Sequence, residues 1–436
     1  MRNTTTFQLP QVAAISNAYV NNMGGTLGMT GHPLRPAKSA ADLITGLNFT
    51  KRVHFRTLED FPKREDSTNV RHKARVKVAE MIRDQYARND FFVILQGTDS
   101  LAETTSALSM IWKQSLQKSV FVIGSQMTKD ESGTDMPMQM ESVMRIGRAF
   151  HRNGVVGVFT LSVGQVWDGA RVRKKNESDF FSFYTPGREP VAYARPHIML
   201  QEYLLRRVDP QRVAEGLRID GEFEPNVMTL KVSADTPPSA LTAHIGGSMK
   251  GVILEAKGAG NIPNCPWDDG ESHNDSTGAN DWISAIRQAS EAGMHVAALS
   301  PFDDGRINLD RYELGALARD AGMYSLGSLT PDMADFKFRQ AIARHDEDRK
   351  ALQFFLTTDM IGEMLPGLEI EEDEPEPDVV ERHIAALDNL QLFNPIDKGL
   401  ALISWALRSA KIFYYNLVSL FILVKLSNYC TYVYFR

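Results

Sequence analysis

Residues 91–95 read Phe-Phe-Val-Ile-Leu and run straight into Gly97-Thr98-Asp99-Ser100. Five consecutive apolar residues leave no polar face, so the segment must be covered on both sides, as a strand inside a parallel sheet is. The pattern recurs along the chain. Residues 12–20 read as a strand leading into NNMGGTLGM, 119–123 end at Gly124-Ser125, and 155–161 form another apolar run. Between them lie helical faces: Val78, Met81, Ile82 and Tyr86; residues 100–112; and Met140, Val143, Met144 and Gly147. Short strands separated by helices of about 10–15 residues predict an α/β fold with a largely parallel sheet and helices on both faces.

The 436 residues suffice for two domains and an extension. A polar, proline-containing stretch over 209–240 reads as a link. We therefore expect a first domain over 1–215, a link over 216–240 and a second domain over 241–366. In the second domain, strands at 251–255 and 295–299 alternate with helices at 282–292 and 309–321. Beyond it, 367–436 hold an acidic, proline-bearing linker, expected to be disordered, and an apolar tail. The tail's longest uncharged run, 412–424, has 13 residues, fewer than the roughly 18–20 needed to cross a bilayer. Membrane contact through the tail is the secondary reading, beside a tail without function.

A net charge of −6 with no basic region argues against nucleic acid as a partner. Two distant cysteines give neither a disulfide framework nor a zinc spacing, and no pair of the ten histidines has metal-ligand spacing. No metal and no cofactor is expected. Residues 1–19 lack the apolar core of a secretory signal, so the cytoplasm is the default compartment.

Polar groups recur where strands end, which is where parallel sheets bind ligands. Thr26 follows Gly24-Gly25; Ser67 and Asn69 precede a helix; Thr98 and Asp99 follow the 91–95 strand; Asp135 and Lys174 follow later ones. A threonine hydroxyl becomes a nucleophile when its proton has somewhere to go, and a neutral lysine oriented by a carboxylate can take it. Thr98, Asp99 and Lys174 could form that relay. Each piece alone has a plainer reading: Thr98, Asp99 and Ser100 as a helix cap, Gly24-Gly25-Thr26 as a turn, Ser67 as an N-cap, Asp135 as a loop residue and Lys174 as solvated surface.

Taken in order, the pieces resemble the asparaginase/glutaminase family of bacterial-type amidohydrolases, cytoplasmic type I among them. MGGTLGM is similar to its TGGTIG motif and QGTDSLAETTSAL to HGTDTMEETA. VFVIGSQMTKDESGTDMPMQMESV, VWDGARVRKKNESDFFSF, KGVILEAKGAGNIP and residues 296–334 resemble further segments, over roughly 12–366. The resemblance implies conversion of L-asparagine, and in some members L-glutamine, to the acid and ammonia. It makes Thr26 the nucleophile, has Thr98, Asp99 and Lys174 activate a hydroxyl or water, and has Ser67 and Asp99 hold the substrate's α-groups. Asn261 matches a position that completes the site, often from a neighbouring subunit, so a homodimer or homotetramer is implied.

The chain departs from the family pattern at four places. Met23 replaces the first threonine of TGGT, Gln96 replaces the histidine before GTD, and Met136 and Gln139 replace glycine and asparagine. The loop after Thr26 looks short and lacks the tyrosine that usually touches the nucleophile; His32 is its one titratable aromatic residue. Two other readings share the fold: a glutamine-hydrolysing subunit of a tRNA-dependent amidotransferase, and a non-catalytic binding protein.

Overall fold

Two sheets organise the chain in the computed structural model, which describes residues 15–36, 38–47, 49, 51–194, 196–264 and 281–365. The acidic linker and apolar tail, the start of the expected 12–20 strand and the polar 265–280 loop lie outside these residues. Everything described belongs to one unit that ends at Leu365.

The larger sheet contains β1 (Ser16–Gly24), β2 (Val53–Glu65), β3 (Phe91–Leu95), β4 (Ser119–Ile123), β5 (Gly157–Ser162) and β6 (Gln165–Asp168). A two-stranded antiparallel ribbon follows, β7 (Arg173–Lys174) with β8 (Phe183–Tyr184). The chain then returns to the sheet edge as β9 (Ala192–Ala194) and β10 (Ile198–Leu200). The strand order is β10-β9-β6-β5-β4-β3-β1-β2. β2 to β5 and β1 run parallel, while β6, β9 and β10 continue the sheet antiparallel.

The expected two-faced burial is present. Along β3, Phe91, Val93 and Leu95 enter one core and Phe92 and Ile94 the other. Helix Met136–Arg152 covers the first face; His72–Gln85 and Leu101–Trp112 cover the second. Each such side chain contributes roughly 1.5–3 kcal/mol by leaving water. The 13-residue strand β2 went unread in the sequence. It is an edge strand whose charged residues break any clean alternation.

A second sheet contains β11 (Val227–Lys231), β12 (Gly251–Glu255), β13 (His295–Leu299) and β14 (Met323–Ser325), parallel and in sequential order. β11 falls within the stretch read as a link, where its alternation of part-buried and exposed residues marks an edge. One core joins the two sheets: Met110 and Ala170 pack with Ile253, Leu299, Phe338 and Phe355. Among the described residues, no helix is long and apolar enough to cross a membrane.

Candidate active site

Strand order creates a crevice. From β1 the chain moves to β2 on one side, then crosses back to β3 on the other, and the carboxyl ends of β1 and β3 border the place where the order reverses. Ligands of parallel α/β sheets bind at such points. Thr26 follows β1, Ser67 follows β2, and Thr98 and Asp99 follow β3.

Glycines draw these ends together. Gly25 has φ of 90°, a conformation open chiefly to glycine, and a Cβ there would stand 2.0 Å from Gly97 N. A Cβ on Gly97 would stand 2.7 Å from Ser67 Oγ. The backbones after β1 and β3 are therefore in contact, with Ser67 against them. Thr26 and Thr98 are each the next residue along from that contact. Thr26 is half-buried and opens the 3-10 turn Thr26–Gly28, closed by Gly28 N donating to Gly25 O at 3.0 Å.

Lys174 comes from outside the larger sheet, on β7. Its Nζ donates to Thr98 Oγ1 at 2.9 Å and to Asp99 Oδ1 at 2.7 Å. Thr98 is buried, the Lys174 side chain is 15% exposed, and the Asp99 side chain is 58% exposed. The hydroxyl and the lysine nitrogen thus sit beside a carboxylate open to an incoming ligand.

The capping alternative is answered by the bonds. Helix Leu101–Trp112 has no side-chain cap bond. Thr98 and Asp99 turn to Lys174, and Ser100 Oγ donates to Ser67 O at 2.5 Å. Gln96 Nε2 donates to Ser100 Oγ at 3.0 Å and to Ser100 O at 3.2 Å. The residue in the family's histidine position therefore braces the turn. The sequence did not single out Ser100 as a brace, because a serine before a helix reads as a cap.

Ser67 is 3% exposed, and the cap of its short 3-10 turn is Asp66, which accepts from Thr68 N at 3.0 Å. Asp135 is buried and accepts the backbone N–H groups of Gln126 and Met127 at 3.1–3.2 Å, so it shapes the loop after β4. Asn261 stands apart, after β12 in the second sheet. Its backbone pairs with Lys257 at 2.8 and 3.0 Å, and no hydrogen bond among the described residues joins it to Thr26, Ser67, Thr98, Asp99 or Lys174.

Three departures from the family pattern lie in the interior. Met23 packs in the core with Tyr19, Val70 and Ile82, and Met136 is fully buried. Gln139 Oε1 accepts Val163 N at 3.1 Å, holding a turn where Val163 has φ of 48°. In the loop after Thr26, Met29–Thr30 pairs antiparallel with Arg35–Pro36, with His32 exposed between them. Lys38 N donates to Gly28 O at 3.0 Å, closing the loop at its base.

Comparison with known proteins agrees with this arrangement. Residues 17–204 match the asparaginase N-terminal domain, and residues 226–355 match the glutaminase/asparaginase C-terminal domain. A glutamyl-tRNA(Gln) amidotransferase subunit from Thermococcus kodakarensis is 27% identical over 338 residues, 76% of this chain and 70% of the relative. An L-asparaginase from the same organism is 26% identical over 302 residues, 69% of this chain and 83% of the relative. Among solved structures, a thermostable L-asparaginase from Thermococcus kodakarensis shares the fold with a TM-score of 0.69 at 22% identity, covering 80% of this chain and all of that one. With both domain types matched in order over residues 17–204 and 226–355, the chain belongs to the asparaginase/glutaminase family of amidohydrolases.

Proposed function

We propose that this chain hydrolyses the side-chain amide of L-asparagine through a threonine acyl-enzyme. The observation that carries the reading is the contact of Lys174 Nζ with both Thr98 Oγ1 and Asp99 Oδ1, beside the Gly25–Gly97 contact that sets Thr26 nearby. Thr26 Oγ attacks the carboxamide carbon, the carbon–nitrogen bond breaks, and the threonine proton leaves on ammonia. A water molecule then adds to the ester and returns the proton to Thr26, releasing aspartate. Thr98 and Lys174 pass protons over hydrogen-bond distances, and the developing oxyanion meets backbone N–H groups at the turn. The exposed Asp99 carboxylate suits an α-ammonium, and the Ser67 hydroxyl suits an α-carboxylate.

Hydrolysis at this preorganised edge also gives the buried polar groups there a use. A scaffold kept only for binding has no need of a lysine held to a buried threonine. The relatives named as glutamyl-tRNA(Gln) amidotransferase subunits favour a second reading, in which glutamine is the amide and its ammonia passes to a partner.

The test is ammonia release from L-asparagine and L-glutamine by the full chain, beside Thr26→Ala and Lys174→Met. Asparagine turnover should fall by roughly a thousandfold or more in both variants. Turnover of glutamine alone would move the assignment to the amidotransferase reading. Absence of release from either amide by folded protein would remove the hydrolase reading.

A further inference from the structure

We infer that Asp303, on the loop after β13, is a positioning residue that holds the Lys174 ribbon from its far side. This rests on the reading of Lys174 as part of the hydrolytic site.

The ribbon of β7 and β8 has only two residues per strand. An isolated hairpin of that size has little stability of its own. In its register Lys174 faces Phe183 and Arg173 faces Tyr184. Successive side chains of a strand point to opposite faces, while cross-strand partners share one. Lys174 reaches Thr98 and Asp99. On the opposite face, Arg173 and Tyr184 both reach Asp303: the guanidinium donates to Oδ1 and the phenol to Oδ2. One carboxylate oxygen takes a donor from β7 and the other a donor from β8, so a single residue clamps the whole cross-strand pair.

The rest of the segment is fixed by backbone carbonyls. Arg171, fully buried, donates to Ser328 O at 2.6 Å and to Glu363 O at 2.7 Å. Arg188 donates to Met364 O at 2.9 Å. These anchor the two flanks of the ribbon; Gln126 Nε2 donates to Asp179 O at 3.1 Å and Ser162 Oγ to Phe180 O at 2.9 Å in its connecting loop, and Asp303 bonds its middle on the face away from Lys174. Burial, and then the hydrogen bond to Asp303, pushes the Tyr184 hydroxyl up to about 12, so it remains a donor throughout the neutral range.

The consequence is mechanical. Lys174 must keep one nitrogen within 3 Å of both Thr98 Oγ1 and Asp99 Oδ1, at the end of a flexible four-carbon stem. A displacement of about 1 Å at such a group costs on the order of a hundredfold in rate. A loop of the second sheet therefore sets the reach of a lysine that works at the edge of the first.

Two readouts test this on the full chain carrying Asp303→Ala, Asp303→Glu or Tyr184→Phe. The first is kcat and KM for ammonia release. Asp303→Ala should lower kcat by roughly tenfold to a hundredfold with KM within about threefold, and Asp303→Glu should recover most of the loss. The second needs no turnover: the rate at which an amine-acylating reagent labels Lys174, mapped by mass spectrometry, with Lys231 as an internal control. Asp303→Ala should raise labelling of Lys174 severalfold and leave Lys231 unchanged, with Tyr184→Phe between the two. Unchanged kcat in an Asp303→Ala variant of an active enzyme would overturn the inference. So would unchanged labelling of Lys174, even if the wild-type chain hydrolyses neither amide. Absence of turnover with labelling still raised by Asp303→Ala would reject the hydrolase reading and keep the clamp.

Discussion

Gly25 and Gly97 touch through their backbones: a Cβ on Gly25 would lie 2.0 Å from Gly97 N and 2.2 Å from its Cα. No side chain can be inserted there without parting the ends of β1 and β3. Gly25→Ala also forces a residue with a Cβ to φ of 90°. We expect amide hydrolysis to fall by roughly a hundredfold or more, with a lowered urea midpoint. Wild-type turnover in that variant would show that Thr26 does not depend on the contact.

Ser100→Ala removes the donor to Ser67 O and the acceptor for Gln96 Nε2. Thr98, Asp99 and Lys174 keep their bonds to one another, so KM should rise by roughly threefold to tenfold while kcat changes little. A stability loss of about 1 kcal/mol should accompany it. A kcat effect larger than the KM effect would place Ser100 in proton transfer instead.

His72 lies stacked on Phe223 and edge-on to Phe336, at ring separations of 5.5 and 5.1 Å. Its Nδ1 is buried without a partner, and burial, then the nearby Arg339 and Arg75 charges, pushes it down to about 4; Asp335 opposes them weakly. The unfolded chain binds a proton on this residue below about pH 6.5 that the native state refuses until about pH 4. His72 thus adds stability above pH 6.5 that drains away as the pH falls toward 4. His72→Phe should lose less stability between pH 7 and pH 4.5 than the wild type, by on the order of 2 kcal/mol. Urea midpoints at the two pH values measure it, and parallel losses would refute the assignment.

Lys337 and Glu363 form an ion pair at 2.6 Å with both side chains wholly buried. Burial alone would raise the Glu363 carboxyl, but the Lys337 ammonium, with hydrogen bonds from Asp359 and the Ile361 backbone, holds it below the ordinary range. Its contribution is therefore present above the usual glutamate pKa and is lost as pH falls through the depressed one. Lys337→Met strands the carboxylate at a cost of about 3–5 kcal/mol near pH 8. In that variant burial raises the carboxyl, so protonation relieves the cost and the loss should shrink at pH 4. Denaturant unfolding at both pH values decides it; an equal loss at both would mean that packing, and not charge, is what Lys337 supplies.

The order of residues was enough to specify the two-faced strands, the helices between them and the polar groups that strand ends present. Runs such as 91–95 and 295–299 carry their own burial, because an apolar residue on each face has one low-energy environment. The glycine pairs and the Thr98-Asp99 sequence were legible for the same local reason. Contacts between distant segments were not. β2 and β11 escaped reading because edge strands expose half their residues and blur the period. That Ser100 holds Ser67 is decided by how strands lie side by side in the larger sheet, and that Asp303 reaches Arg173 and Tyr184 by how the two sheets pack. The same holds for Lys174, whose distance to Thr98 depends on a ribbon suspended between two sheets. Local sequence fixes which groups a strand end presents, through burial and backbone freedom. Which of them meet is a property of long-range packing, where residues some 76 positions apart, Thr98 and Lys174, come within a hydrogen bond.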